Sequence, residues 1–145
     1  MKIGPRGQTL VQSFESCRLK AYQDTAGIWT IGWGHTRGVK DGDTCTQAQA
    51  DEWLREELIE HEDQVSGAVK VPLNQNQFDA LVSFVYNEGI GQFEHSRFLI
   101  LLNRGMFKDA ATQFDLWIYS GGHKTKGLIR RRAAERALFE TPIAV

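Results

Sequence analysis

The sequence predicts an α+β fold that is mainly helical and carries one small antiparallel sheet in its N-terminal part. Apolar residues recur at helical spacing through most of the chain, beginning with Leu10, Val11 and Phe14. Between residues 19 and 36 this spacing gives way to β-branched and aromatic residues separated by glycines, which is typical of short strands joined by turns. The length of 145 residues and the ordinary composition suit a single globular domain.

The N-terminal elements can be placed from these patterns. A first helix is expected to begin at Gly7 and to end near Ser16 to Leu19, which puts Glu15 on its last turn beside Phe14. Two or three short strands follow over residues 19–36, with "QDTAG" as a turn, and "RGVKDGDT" is expected to be a polar loop.

A second, long helix is expected to begin after Thr46, because Gln49 three residues later completes a capping box. Its apolar stripe consists of Ala50, Trp53, Leu54, Leu58, His61 and Val65, and acidic residues cover its other faces. We interpret this acidic run as a solvated helix face, and the helix is long enough to join two lobes.

Four more helices are expected after residue 67. The first begins after Asn74 as a cap, is apolar nearly all round and ends at Gly89. The next lies in "SRFLILLNRG" and ends at Gly105, and another in "FKDAATQFDLWIYSGG" ends at Gly121-Gly122. The last is "KGLIRRRAAERALFE".

Charge and cysteine content narrow the possible functions. Residues 1–66 carry 7 Lys/Arg against 11 Asp/Glu, and residues 67–145 carry 10 against 7, so the second half is basic and suits an anionic partner. No nucleic-acid-binding motif accompanies these charges, and we expect no nucleic-acid partner. The two cysteines, Cys17 and Cys45, make no metal site; we interpret them as partly buried thiols, with a disulfide possible in an oxidising compartment.

The N-terminal sequence "MKIGPRGQTLVQSF" has no apolar segment of the kind found in signal peptides. No stretch approaches the length needed to span a bilayer, so stable membrane insertion is not expected. The sequence therefore predicts a protein made in a cytoplasm that needs another route to any target outside it.

Two acidic residues suggest glycoside hydrolysis. That reaction needs one carboxylic acid that stays protonated and one carboxylate that stays ionised. Glu15, at a helix end beside Phe14, suits the protonated role, because burial among apolar side chains favours the neutral form. Asp24, in a polar turn, suits the ionised role, and the hydroxyl of Thr30 is placed to hold an attacking water. Spacing alone leaves two surface carboxylates as the more common explanation.

The pattern of Glu15, Asp24 and Thr30, followed by the Gly-rich "TIGWGHT" from Thr30 onward, resembles the phage-type lysozymes, glycoside hydrolase family 24. In that family a Glu is followed after eight residues by Asp or Cys, and after five more by Thr. The resemblance continues through "VPLNQNQFDALVSFVYNEGIG" to "GLIRRRAAERALF" and covers nearly the whole chain.

The resemblance implies a lysozyme-like fold of two lobes with a cleft between them. It implies one domain over residues 1–145, with a sheet-containing N-terminal lobe at about residues 18–60. The helical lobe is implied at about residues 67–145, together with the first helix. The implied reaction is hydrolysis of the β-1,4 bond between N-acetylmuramic acid and N-acetylglucosamine in bacterial peptidoglycan, without a cofactor or a metal.

Family positions also imply roles for single residues. Glu15, Asp24 and Thr30 match the catalytic positions. Thr36, Tyr86, Asn87 and Ser96 match substrate-binding positions. In relatives the first Arg of the Gly-Leu-x-x-Arg-Arg block pairs with the catalytic Glu, which makes Arg131 the expected partner of Glu15.

Several residues keep a second interpretation. Histidine side chains in general titrate near neutrality, so one interpretation gives His35 a catalytic role; we favour a structural His held by a carboxylate or carbonyl. Trp29 and Trp33 suit either a core or stacking on sugar rings, and Tyr86 suits either the cleft or a core with its hydroxyl hydrogen-bonded. The basic residues from Lys124 to Arg136 are partly a solvated helix face.

Two other functions compete with the hydrolase. A lytic transglycosylase needs one acid and no water, so Asp24 and Thr30 argue against it. A non-catalytic wall-binding module does not need the complete acid set. We therefore expect a monomeric phage endolysin that accumulates in the host cytoplasm and reaches the wall after a holin has permeabilised the membrane.

Overall fold

The computed structural model describes residues 1–143 and divides the chain into two compact units. One unit is Val11–Glu60, and the other combines Met1–Leu10 with the chain from His61 onward. Both boundaries fall inside helices: one in α1 (Pro5–Phe14) and one in α2 (Gln47–Ala68). No helix in the described range, residues 1–143, is long and apolar enough to cross a membrane.

The unit Val11–Glu60 contains the predicted antiparallel sheet. Its two strands, β1 (Arg18–Gln23) and β2 (Trp29–Gly32), pair Tyr22 with Thr30 and Gln23 with Trp29. The register is irregular between Arg18 and Tyr22, so the sheet is short. Single bridges extend it from Lys20 to Thr44 and from Ile31 to His35.

The N-terminal half of α2 packs closely on this sheet. The predicted capping box is present, since Gln49 donates its backbone N–H to the Thr46 hydroxyl and Thr46 donates its N–H to the Gln49 side chain. Ala50, Leu54 and Leu58 are buried, as the apolar stripe predicts. A Cβ added to Gly32, which has φ +65°, would lie 3.1 Å from the Ala50 Cβ, so this strand requires glycine for both space and conformation.

The other unit is mostly helical. Besides the N-terminal part of α1 and the C-terminal part of α2, it contains the helices α3 (Gln75–Glu88), α4 (Ile90–Glu94), α5 (Arg97–Asn103), α6 (Phe107–Gln113) and α7 (Lys126–Glu140). Between α6 and α7 lie a 3₁₀ turn (Phe114–Leu116) and the strands β3 (Tyr119–Ser120) and β4 (His123–Lys124). Asn74 caps α3 with a complete capping box, as predicted. The buried core of this unit centres on Phe84, whose ring meets Phe93, Phe98 and Phe114 edge-on at centroid distances of 5.3–6.0 Å.

Three details of the sequence interpretation are wrong. The segment from Phe107 to Gly122 is not one helix: α6 ends at Gln113, and a short antiparallel hairpin turns at Gly121 and Gly122, whose φ angles of +58° and +82° suit glycine. The helix α4 was not predicted. The first helix begins at Pro5 and ends at Phe14, so Glu15 directly follows it instead of lying on its last turn.

The acidic face of α2 is only partly solvated. Glu62 is buried at 6% exposure and accepts the backbone N–H of Ile3, and Glu57 is half-buried. The sequence pattern predicts that all these acidic residues are exposed, because it does not indicate which of them accepts a hydrogen bond from a buried donor. Cys17 and Cys45 are half-buried free thiols. Burial raises the pKa of the Cys45 thiol, and the nearby Cys17 adds to the rise.

Candidate active site

Glu15 lies at the point where the chain leaves α1. Its backbone N–H still donates to the carbonyl of Val11 at 3.1 Å, so the helical hydrogen-bond ladder holds its backbone although the helix ends at Phe14. Its side chain and that of Phe14 are both half-buried. A carboxyl beside an apolar ring at the end of a rigid helix suits a proton donor.

Asp24 is held in the loop between β1 and β2 by its own backbone neighbours. Its Oδ1 accepts the N–H groups of Ala26 and Ile28, each at 2.9 Å. Its backbone N–H donates to the Ile28 carbonyl at 2.9 Å, which closes the loop. Within residues 1–143 no donor is bonded to Oδ2, so one carboxylate oxygen is fixed by the protein and the other can accept a hydrogen bond from a ligand.

Thr30 lies on β2 and is buried at 4% exposure. Its hydroxyl donates to the backbone carbonyl of Ile28 at 2.9 Å. The hydroxyl hydrogen is therefore used within the loop, and the oxygen keeps its lone pairs for a donor. The same residue, Ile28, thus fixes both the Asp24 carboxylate and the Thr30 hydroxyl, which are the two groups that the sequence assigns to one water.

His35 is held by a carboxylate, which is the structural interpretation favoured from the sequence. Its Nδ1 lies 2.6 Å from Oε1 of Glu57, and its ring stacks on Trp53 at 4.3 Å with an interplanar angle of 8°. Its backbone exchanges two 2.9 Å hydrogen bonds with Ile31. These contacts join the Gly-rich turn to α2.

Trp33, in the same turn, is half-buried, and its indole N–H donates to Asp51 at 2.8 Å. This hydrogen bond lowers the pKa of the Asp51 carboxyl, with a smaller contribution from Gln47. Trp29 is half-buried on β2. Thr36 follows His35 and is exposed, with its backbone carbonyl bonded to the N–H of Val39.

In the helical unit, Tyr86 and Asn87 lie near the C-terminal end of α3. The Tyr86 ring is half-buried and meets His61 edge-on at 5.2 Å. Asn87 is exposed, and its side-chain oxygen accepts a hydrogen bond from Arg132. Their substrate-binding roles stay predictions.

Ser96 has a structural explanation as the N-cap of α5. Its hydroxyl accepts the N–H of Leu99 at 3.2 Å and donates to the Phe93 carbonyl at 2.7 Å, and the residue is buried. A buried hydroxyl that already donates one bond and accepts another has little capacity left for a sugar. Its substrate-binding role stays a prediction that this geometry does not favour.

Arg131 belongs to a buried ionic network that the sequence did not reveal. Its Nε donates to Glu135 at 3.3 Å and its Nη2 to the Ser83 carbonyl at 3.3 Å. Glu135 is also buried, and its carboxylate accepts hydrogen bonds from Nη1 of Arg132 at 2.7 Å and from the Ser83 hydroxyl at 2.6 Å. The basic stretch of α7 is therefore not simply a solvated face, since two of its arginines are buried. The Gly-Leu-x-x-Arg-Arg-x-x-Glu block contained these residues, but burial of Arg132 was not visible in it.

The α+β fold is that of the lysozyme class of glycoside hydrolases. The phage lysozyme family model matches residues 12–135, and the chain belongs to this family. It is 43% identical to the endolysin of Acyrthosiphon pisum secondary endosymbiont phage 1, over 97% of this chain and 99% of that protein. It is 44% identical to the endolysin of Salmonella phage P22, over 96% and 98% of the two chains.

Solved structures agree with this assignment. The muramidase domain of SpmX from Asticaccaulis excentricus matches with a TM-score of 0.91 and 43% identity, over 97% of this chain and 99% of that one. A P22 lysozyme variant matches with a TM-score of 0.88 and 42% identity, over 97% and 99%. The predicted lysozyme-like α+β fold and the predicted peptidoglycan-hydrolysing lysozyme activity are confirmed.

Proposed function

We propose that Glu15 is the general acid of this lysozyme and that Asp24 and Thr30 position the attacking water. The observation that carries this assignment is the double use of Ile28, which accepts the Thr30 hydroxyl hydrogen and donates its N–H to Asp24. Both side chains are left as acceptors, and a water that donates one hydrogen to each would present a lone pair to the sugar. Asp24 would take the water's proton while Glu15 protonates the leaving oxygen.

The bond proposed is the β-1,4 link between N-acetylmuramic acid and N-acetylglucosamine, and no cofactor is needed for it. Thr36, Tyr86 and Asn87 are proposed to contact the glycan, with exposure of Thr36 and Asn87 in support. Ser96 keeps only the family position as support. Arg131 is proposed as the partner of Glu15 on its family position alone, since its bonds to Glu135 and Ser83 do not involve Glu15.

Digestion of purified murein followed by mass spectrometry tests the proposal. Glu15→Gln should keep the fold, and its rate should fall about 10²–10⁴-fold, because general acid catalysis contributes a factor of that size. Glu94→Gln removes an exposed carboxyl on α4 and is the matched control, with a rate expected near that of the wild type. Hydrolysis gives reducing ends that contain one added water. Products lighter by one water per cut would indicate a transglycosylase, and a Glu15→Gln variant as fast as the control would remove the assignment.

We further propose that the protein accumulates as a monomer in the host cytoplasm and needs a holin to reach the wall. The two nearly full-length phage relatives are named simply endolysins. Another relative, 38% identical over 92% of this chain, is named a SAR-endolysin, which suggests release without a holin in that protein. Expression in Gram-negative cells with and without a co-expressed holin separates the two routes, since lysis without the holin would contradict this proposal.

A further inference from the structure

The exposed side chain of Asn87 is bound by a fully buried arginine. Arg132 has 0% exposure, and its Nη2 donates to Oδ1 of Asn87 and to Oε1 of Glu88, the latter at 2.6 Å. Its Nη1 donates to Glu135 at 2.7 Å and its Nε to the Trp117 carbonyl at 2.8 Å. Each nitrogen of the guanidinium is therefore engaged.

These bonds decide which way the Asn87 amide faces. A guanidinium has only donors, so the group that Asn87 turns to Arg132 must be its oxygen. The amide nitrogen Nδ2 then points away from Arg132. None of the residues 1–143 accepts a hydrogen bond from Nδ2, and the residue is exposed. Asn87 thus offers two N–H donors to the surroundings and no free carbonyl in their place.

Arg132 itself has little freedom to reorient. Its guanidinium lies over the Phe84 ring at 5.0 Å, and four hydrogen bonds in different directions fix its plane. Its partner Glu135 is held in turn by Arg131 and Ser83. A buried network in which every member is satisfied is rigid, and it transfers that rigidity to the exposed amide.

We propose that Arg132 is a positioning residue that fixes Asn87 as a hydrogen-bond donor to the glycan. The acceptor of matching chemistry is the acetamido carbonyl oxygen, which the N-acetylated sugars of peptidoglycan carry. This inference rests on the proposed function. It adds that Asn87 presents its amide N–H groups, not its carbonyl, to the ligand, and that Arg132 fixes this orientation. Fixing the amide before the ligand arrives removes an ordering cost from binding.

Asn87→Asp separates this role from a structural one. Aspartate still offers an oxygen to Arg132, and the charge strengthens that bond, but its outward atom becomes an acceptor that repels a carbonyl. We expect binding of an N-acetylglucosamine trimer to weaken about tenfold, the size of one hydrogen bond, without loss of stability. Gln92→Glu, exposed on α4, adds the same charge and is the control, with affinity expected to be unchanged. Equal affinity in Asn87→Asp and wild type would overturn the proposal.

Nuclear magnetic resonance on the wild type tests the positioning step without relying on a variant of Arg132. The Asn87 side-chain ¹⁵N signals are identified by their loss in Asn87→Asp. We expect Nδ2 to be as rigid as the helix backbone before ligand is added, because Arg132 holds its partner oxygen, and to shift in saturating fashion with the trimer. A mobile Nδ2 in the free protein, or no shift at trimer saturation, would overturn the proposal.

If Arg132→Lys folds, its KM and kcat give an additional, kinetic test. Lysine donates from a single point and cannot hold Asn87, Glu88 and Glu135 in one plane. KM for soluble murein should rise several-fold with kcat little changed, and combining the change with Asn87→Asp should add nothing further. Murein hydrolysis is followed in parallel. If the wild type hydrolyses murein but Asn87→Asp changes neither affinity nor KM, this inference alone is wrong. If the wild type does not hydrolyse murein, the proposed function is wrong as well.

Discussion

Nδ1 of His35 lies 2.6 Å from Oε1 of Glu57, and the imidazole ring stacks on Trp53. This pair joins the turn that follows β2 to a helix more than five turns long. The side chain of His35 is 14% exposed and that of Glu57 33% exposed, so the contact is shielded more than a surface ion pair. These contacts give His35 a structural role in the Gly-rich turn.

The first prediction concerns Glu57→Gln. The change keeps the shape of the side chain but removes the charge that assists the hydrogen bond, so the free energy of unfolding should fall by about 1–2 kcal/mol. Urea denaturation with an unchanged m value measures this difference. Glu56→Gln alters the exposed neighbour and should stay within about 0.5 kcal/mol of the wild type. If the two variants are equally stable, the pair does not hold the turn.

The second prediction concerns the start of α1. A Cβ added to Gly7 would lie 2.5 Å from Cγ1 of Ile3 and 2.7 Å from Cβ of Asp79. The Asp79 side chain cannot easily move away, because its Oδ2 accepts the Gly7 N–H at 3.2 Å. Gly7→Ala should therefore lower the free energy of unfolding by about 1–3 kcal/mol through overpacking. Gly91→Ala, where nothing lies within 4 Å of the added atom, should be neutral or slightly stabilising. Thermal unfolding of both proteins is the measurement, and equal midpoints would contradict the packing argument.

The third prediction concerns Arg131→Ala. The change leaves the buried Glu135 carboxylate with Arg132 and Ser83 as donors but removes its bond from Arg131, so stability should fall by about 1–3 kcal/mol without complete unfolding. If Arg131 also orients Glu15, the rate per folded molecule should fall, although the chemistry is not abolished. Arg130→Ala removes an exposed neighbour and is the control. Murein hydrolysis corrected for the folded fraction is the readout; a corrected rate equal to that of Arg130→Ala would contradict the pairing.

Local signals explain which parts of the fold were predictable. The caps at Thr46 and Asn74 were found because a capping box involves residues only three apart. The hairpin at Gly121-Gly122 was missed because Leu116, Trp117 and Ile118 continue an apolar run that suits a helix equally well. Short strands stabilised by neighbours rather than by their own pattern leave no periodicity to detect.

The candidate site was predictable only in part. The spacing of Glu15, Asp24 and Thr30 is a sequence property, and its resemblance to the phage-type lysozymes is what made the prediction specific. The role of Ile28 was not visible, because it acts through backbone groups that carry no residue identity. Burial of Arg132 and Glu135 was missed for a different reason: charged residues are expected at the surface, and only tertiary pairing makes their burial tolerable.

The fourth prediction concerns Thr30. Thr30→Ala removes the oxygen proposed to hold the water but leaves the backbone pairing of β2, so the rate should fall at least about tenfold while the fold persists. Thr30→Ser keeps the hydroxyl and should recover most of the loss. Hydrolysis of a soluble murein oligomer under kcat conditions measures both. A Thr30→Ala enzyme close to the wild-type rate would mean that Thr30 only supports the loop.

The last prediction is that the reaction inverts the anomeric configuration. A water held by Asp24 and Thr30 attacks from the face opposite the leaving oxygen, which inverting enzymes accommodate with carboxyls about 6.5–9.5 Å apart, against about 5–5.5 Å when a carboxylate attacks directly. The first-formed product of the β-linked substrate should therefore be the α anomer, observed by nuclear magnetic resonance before mutarotation. Thr30→Glu would place a carboxylate where the water is proposed to lie, and it should trap a covalent glycan adduct visible by mass spectrometry. A β anomer formed first by the wild type would make Asp24 a nucleophile and remove the water-holding role of Thr30.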